Sequence, residues 1–92
     1  MKSIQKYKRN HIVSIRCVSS SFYEVFNPDT NTVVPINQTG KDIIEFLTSA
    51  HTINEICTYL KELYEVDFET LKEDTSEFLK ETCTVFIVEC SS

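Results

Sequence analysis

The 92-residue sequence has very little of several residue types: one glycine, one methionine, two prolines and no tryptophan. Phosphate-binding loops need several glycines to bring backbone N–H groups close to a phosphate, so the single Gly40 excludes a loop of that kind. No apolar run approaches the ~20 residues of a membrane span. The first nine residues are polar and basic, without the apolar stretch of a secretory signal. We therefore expect a cytoplasmic protein that makes no contact with a membrane.

Catalytic and metal-binding patterns are also missing. No Cys-x-x-Cys pair occurs, and no histidine lies at ligand spacing from any of the four cysteines, Cys17, Cys57, Cys83 and Cys90. We interpret these as free thiols in a reducing compartment, with a redox pair near the C-terminus as the alternative. His11 and His51 are isolated, and the carboxylates do not converge in pairs. The sequence therefore predicts no metal, no cofactor and no enzymatic activity.

What is present is an ordinary single domain with an uneven charge. Apolar residues make up 41% and charged residues 25%, and the net charge is −5. Five of the nine basic residues lie between Lys2 and Arg16, and no acidic residue precedes Glu24. We expect residues 1–10 to form a flexible basic tail and residues 11–90 to form the domain. An electrostatic contact of the tail with an acidic partner is the functional alternative.

The first half of the chain predicts three strands, within His11–Val18, Phe22–Phe26 and Thr32–Ile36. The turn-forming residues 27–31 join the last two as a hairpin. Pro35 lies inside the third strand, and proline cannot donate to a ladder, so this strand belongs at an edge of the sheet. We expect that edge to be open to a guest strand. Because Pro35 lacks a donor, the guest would rely on the backbone around Asn31 to Val34 and on carbonyls farther along.

The second half predicts helices. Thr39 with Asp42 forms a capping box for a first helix that ends near Ser49, and Thr52 with Glu55 forms another for the second. Apolar residues at i, i+3, i+4 and i+7 give the second helix a core-facing stripe, which comprises Ile53, Ile56, Cys57, Leu60, Leu63 and Tyr64.

Asp67 caps a third, acidic helix from Phe68 to about Thr82, and the apolar run from Thr84 to Cys90 predicts a last strand. That strand should be covered by the sheet or by another copy of the chain. The order of elements favours an α+β, winged-helix-like fold. A three-stranded antiparallel sheet comes first, a three-helix bundle follows, and a short C-terminal strand ends the chain.

The junction between the third strand and the first helix resembles a family signature. Residues 36–40 (INQTG) and 43–47 (IIEFL) are similar to the LNxTGxxIWxLL motif of the PqqD-like family, and residues 69–79 are similar to its ETxxxDVxxFL motif. Thr75 stands in the usual valine place, and Thr82-Cys83 replaces a small residue and glycine. Pro35 departs from the small residue that is common there, which affects the pairing register. The resemblance covers roughly residues 12–82.

Members of this family are recognition elements for ribosomally made, modified peptides. The resemblance implies a noncatalytic protein that captures the leader peptide of a precursor by β-strand addition. It also implies presentation to a maturation enzyme, such as a radical SAM enzyme or, in lasso-peptide systems, a leader protease. The peptide would lie antiparallel on the third strand, with its other flank against the third helix. The implied peptide-binding residues are Thr32, Val33, Val34, Pro35, Ile36, Leu71, Asp74, Thr75 and Phe78. Asp74 and its acidic neighbours favour Lys or Arg on the peptide.

Two other functions are open on the sequence alone. The same edge could pair two copies of the chain into a homodimer, as in a structural or interaction domain. A winged helix could also bind DNA, but the third helix carries five acidic residues against two lysines and would repel phosphate. We therefore expect no nucleic-acid partner. The sequence does not choose among pyrroloquinoline quinone, lasso and thioether-bridged products.

Overall fold

The computed structural model describes residues 4–91. In chain order the elements are β1 (Lys6–Arg9), β2 (Ser14–Ser19), β3 (Phe22–Asn27), β4 (Thr32–Asn37), α1 (Gln38–Phe46), α2 (Ile53–Leu63), α3 (Phe68–Thr84) and β5 (Val88–Ser91). β2, β3 and β4 form a three-stranded antiparallel sheet in that order. The predicted α+β architecture, with the sheet first and three helices after it, is confirmed.

The hairpin between β3 and β4 is closed by the buried side chain of Asn27. Its Oδ1 accepts the backbone N–H of Asp29 at 2.9 Å, and its Nδ2 donates to the carbonyl of Phe86 at 2.9 Å. Asn31 completes the turn with a left-handed φ of 54°, which asparagine tolerates better than most residues. The loop of turn formers therefore behaves as predicted, although β2 begins at Ser14 rather than at His11.

The start of α1 differs from the predicted Thr39–Asp42 capping box. Asn37 is the N-cap, and its Oδ1 accepts the backbone N–H of Gly40 at 2.9 Å. β4 runs as far as Asn37, so this last strand residue already has the extended backbone that an N-cap requires. Asp42 instead accepts a hydrogen bond from the side chain of Gln38 at 3.0 Å. Strand and helix are thus joined without a linker.

The other two predicted caps are confirmed. Thr52 and Glu55 form a reciprocal capping box at α2, and Asp67 accepts from the backbone N–H of Thr70 at α3. α3 continues to Thr84, two residues beyond the prediction. It ends where Ile87 N–H donates to the Thr82 carbonyl at 2.9 Å, with a left-handed Phe86 between them.

The predicted basic tail is corrected over Lys6–Arg9, which forms β1 and pairs antiparallel with β5. Backbone N–H groups of Tyr7 and Arg9 also donate to the carbonyls of His51 and Leu47, both at 2.8 Å. β5 buries Val88 and needs a pairing partner, and β1 supplies one without joining the main sheet. The last strand accordingly begins at Val88, not Thr84. Residues 1–3 of the predicted tail lie outside the described residues.

The core lies between the inner face of the three-stranded sheet and the helices. Its most deeply buried apolar side chains are Val25, Ile44, Leu47, Ile56, Leu60, Leu79 and Ile87. Of the stripe predicted for α2, Ile56, Cys57 and Leu60 are buried, which confirms an inward face, but Leu63 is exposed and does not belong to it. Over residues 4–91, the helices are too short or too polar to traverse a lipid bilayer.

Candidate functional site

The outer edge of β4 is the main feature of the surface. β4 pairs with β3 on one side, and within residues 4–91 no strand pairs with its other side. Its side chains alternate: Val33 and Pro35 are exposed on the outer face of the sheet, whereas Ile36 is buried against the helices. The edge position that Pro35 predicts is therefore confirmed.

A groove separates this edge from α3. Its lower part is a depression of about 310 Å³ lined by Val34, Pro35, Ile36, Asn37, Phe78, Glu81, Thr82 and Val85. Its upper part is a depression of about 330 Å³ lined by Asn37, Thr39, Gly40, Ile43, Tyr64, Val66, Leu71, Asp74, Thr75 and Phe78. Asn37 and Phe78 line both parts, so we treat them as one surface, the β4–α3 groove.

Gly40 allows the close packing that forms the floor of the β4–α3 groove. A Cβ at this position would lie 3.0 Å from Phe78 Cε1 and 3.1 Å from Ile36 Cβ. Both distances are shorter than ordinary van der Waals contact. The first turn of α1 can therefore approach β4 and α3 this closely only because residue 40 has no side chain.

A chain of polar side chains fixes the upper end of the groove. Tyr23 donates to Gln38 at 2.9 Å, Gln38 donates to Asp42 at 3.0 Å, and the Tyr64 hydroxyl donates to the other oxygen of Asp42. The hydrogen bond to Asp42 is the main cause of the raised pKa of Tyr64, and desolvation adds to it. The network connects β3, α1 and the C-terminal end of α2, and so holds Tyr64 in the groove wall.

The charge of the groove is acidic. Asp74 lines its upper part and Glu81 its lower part, and among residues 4–91 no basic residue lines either. Other acids of α3, including Glu69 and Glu73, line an exposed surface of that helix together with Lys72 and Lys80, and Glu81 borders both surfaces. The groove thus offers an apolar floor with carboxylates at its rim, which suits an apolar chain that carries cationic side chains.

The structure brings seven of the nine predicted site residues together. Val34, Pro35, Ile36, Leu71, Asp74, Thr75 and Phe78 all line the β4–α3 groove. Ile36, Leu71 and Thr75 are at most 5% exposed, so they form its floor rather than a free contact surface. Thr32 and Val33 do not line it. Thr32 lies beside the hairpin turn, and Val33 is exposed on the outer face of the sheet next to Phe26.

Sequence reasoning missed several groove residues. Thr39 and Gly40 belong to the signature motif, but the residue pattern predicts only a helix cap at Thr39 and gives Gly40 no role in a groove. Tyr64, which the α2 stripe predicts to face the core, is the C-cap of α2 and lines the groove. Val66 lies in the connection between α2 and α3, where no periodic pattern indicates a function. Glu81 belongs to the predicted third helix and Val85 to the run predicted as a last strand, but neither pattern indicates a place in a groove.

In the described part of the chain, the cysteine, histidine and acidic side chains outside the groove do not form a metal-binding or reactive-thiol site. No group of three or more His, Cys, Asp or Glu side chains there could hold a metal ion. Burial is the main cause of the raised pKa of the Cys57 and Cys83 thiols, which disfavours the thiolate. His51 stacks on Phe46, with ring centroids 4.1 Å apart, and contacts Glu55 at 3.4 Å.

Fold and site together define a small α+β domain in which a free sheet edge borders a helix-walled groove. The family model of coenzyme PQQ synthesis protein D (PqqD) matches residues 24–85, and the chain therefore belongs to the PqqD family. No curated protein sequence matches it significantly. Among solved structures it is similar to TbiB1 in complex with the TbiA(beta) leader peptide, with a TM-score of 0.74 and 21% identity. That match covers 89% of this chain and 94% of TbiB1, and at this identity it concerns the fold.

Proposed function

We propose that this protein binds the leader segment of a ribosomally made precursor peptide by β-strand addition at β4. The observation that carries the proposal is the unpaired edge of β4 next to a groove, in a domain of the PqqD family. The similar fold of TbiB1, which was solved with a leader peptide, supports the same occupant. Main-chain hydrogen bonds to the edge supply affinity, and side-chain pockets supply specificity.

The groove accounts for the side chains that such a peptide presents. An antiparallel guest strand on β4 directs every second side chain toward α3. The two depressions, of about 310 and 330 Å³, each accommodate an apolar side chain over a floor that includes Phe78. Asp74 and Glu81 at the rim favour Lys or Arg at neighbouring peptide positions.

In this proposal the protein acts by binding alone. It contributes no catalytic group and no cofactor, and works in the cytoplasm. It presents the captured precursor to a separate maturation enzyme, either a radical SAM enzyme or a leader protease. The precursor's modified segment extends beyond the groove and stays accessible to that enzyme.

Calorimetry tests the proposal. The probe is a synthetic leader segment of the precursor encoded beside this gene, and the control is the same peptide in scrambled order. We expect micromolar or tighter binding, about −8 kcal/mol, for the native order only. Absence of heat with every candidate leader at high concentration would overturn the proposal.

A second candidate function is self-association, in which the unpaired edge of β4 pairs with the same edge of another copy. The apolar residues exposed on the adjoining outer face of the sheet would add contact area, namely Val18, Phe22, Phe26 and Val33. Light scattering at high protein concentration distinguishes the two functions, because a monomer that binds the leader segment dismisses the homodimer.

A further inference from the structure

The backbone of β4 presents its polar groups alternately to β3 and to the open edge. The register pairs Ile36 with Tyr23, Pro35 with Glu24, and Val34 with Val25. In an antiparallel ladder, residue pairs that exchange hydrogen bonds alternate with pairs whose N–H and C=O groups point away from each other. Every second residue of β4 therefore faces a guest strand with its backbone.

Pro35 decides which residues these are. Were Pro35 in a hydrogen-bonded pair, the carbonyl of Glu24 in the central strand would lose its donor inside the sheet. All hydrogen bonds between β3 and β4 can form only if the backbone nitrogen of Pro35, which carries no hydrogen, points toward the open edge. Val33 and Asn37 have the same parity, so their N–H and C=O groups also face the open edge.

We propose that Pro35 sets the register of the bound peptide, an inference that rests on the proposed function. Val33 can donate and accept a hydrogen bond, whereas Pro35 can only accept one. The guest residue opposite Pro35 donates its N–H to the Pro35 carbonyl, and its own carbonyl receives nothing from β4. A proline in the guest at that place would make no backbone bond, so the site selects leader segments without proline there.

The missing N–H donor of Pro35 also disfavours pairing of the β4 edge with a second copy of the chain. If two copies paired edge to edge through β4, each copy would lack the N–H donor at its Pro35, and the ladder between them would lose two hydrogen bonds. Proline on an edge strand is a known protection against such pairing. A flexible peptide meets only one missing N–H donor, that of Pro35, and it also gains contacts in the β4–α3 groove. A second folded copy cannot place an extended strand in that groove.

Amide hydrogen exchange on the free, full-length protein tests the register without any ligand. We expect the N–H groups of Val34 and Ile36 to be protected by β3 and that of Val33 to exchange rapidly. Protection of Val33 with rapid exchange of Val34 would overturn the inference, because the vacancy would then face β3.

Pro35→Ala tests its consequence for binding, with the synthetic leader segment as probe. The variant restores one outward donor, and we expect about two- to tenfold tighter binding. Pro28→Ala is the matched control, because it removes the other proline in the hairpin loop away from the edge, and its affinity should equal that of the wild type. If Pro35→Ala binds no more tightly while the wild type binds, this inference is wrong. If the wild type binds no leader segment, the proposed function fails instead, and the exchange pattern still decides the register.

Discussion

Phe86 has a backbone conformation that its side chain disfavours. Its φ of 61° is left-handed, at the position after the α3 C-cap where glycine is usual, and the residue is 61% exposed. A left-handed conformation costs a non-glycine residue ~1–2 kcal/mol, and substitution by glycine removes this cost. Glycine also makes the unfolded chain more flexible, which offsets part of the stabilisation. We expect Phe86→Gly to raise the free energy of unfolding by about 1 kcal/mol, measured by urea denaturation. Phe86→Ala is the control, and an equal gain there would assign the effect to the ring instead.

Gly40 shows the opposite case, a glycine that is needed for space. Alanine in a helix is favoured over glycine by ~1 kcal/mol, but overpacking typically costs ~1–3 kcal/mol. The added Cβ would press on Phe78 and Ile36. We expect Gly40→Ala to lower the free energy of unfolding by about 1 kcal/mol and to weaken leader binding. In a Phe78→Leu background the loss should shrink, and an unchanged loss would show that Phe78 is not the obstacle.

The α2 cap gives a prediction about pH. The backbone N–H of Thr52, and then His51, hold the pKa of Glu55 below its ordinary value of 4.5. A carboxylate whose pKa is lower in the folded state than in the unfolded state stabilises the protein at pH values above its unfolded-state pKa. This stabilisation is lost as the pH falls through the folded-state pKa. Glu55→Gln should therefore melt below the wild type near pH 7, and the gap should narrow as the pH falls below the ordinary carboxyl pKa of 4.5. A gap that does not change with pH would show that the charge of Glu55 is immaterial.

The acidic rim of the groove predicts how binding depends on charge. Asp74→Asn should weaken a Lys- or Arg-bearing leader segment about two- to fivefold and reduce the salt dependence of its dissociation constant, as expected for an exposed ion pair. Glu73→Gln is the control, since Glu73 lines the exposed surface of α3 and no part of the groove. Equal effects of the two substitutions would indicate only a general field from the helix.

Elements with a local cause could be predicted from the sequence. Pro35 marks the edge strand because proline lacks a donor, and Thr52 and Asp67 mark helix starts because each side chain bonds a backbone N–H nearby. The predicted α1 cap at Thr39 is wrong because both Asn37 and Thr39 have side chains that can cap a helix. The position where β4 ends decides that Asn37 is the cap. The edge and the motif together indicate most of the residues that line the β4–α3 groove. Its upper wall also includes Tyr64 and Val66 from the connection between α2 and α3, which only the folded chain places there.

At the scale of the whole molecule, the two ends of the chain depend on each other. Tyr7 pairs with Cys90 and Arg9 pairs with Val88, across about 80 residues of sequence. Nothing local in the basic stretch KYKR indicates a strand, because its stability comes from a partner at the other end of the chain. Such long-range pairing is the part of the fold that residue patterns cannot reveal.

Removing β1 tests this closure. A variant that begins at His11 loses the ladder with β5 and the backbone bonds to Leu47 and His51, and it uncovers Val88. Each backbone bond is worth ~0.5–1.5 kcal/mol net, so the free energy of unfolding should fall by at least about 3 kcal/mol. Lys8→Ala, at an exposed position of the same strand, should change it little. Because β1 lines no part of the groove, the folded fraction should still bind the leader segment. An undiminished stability on urea denaturation would restore the flexible-tail interpretation.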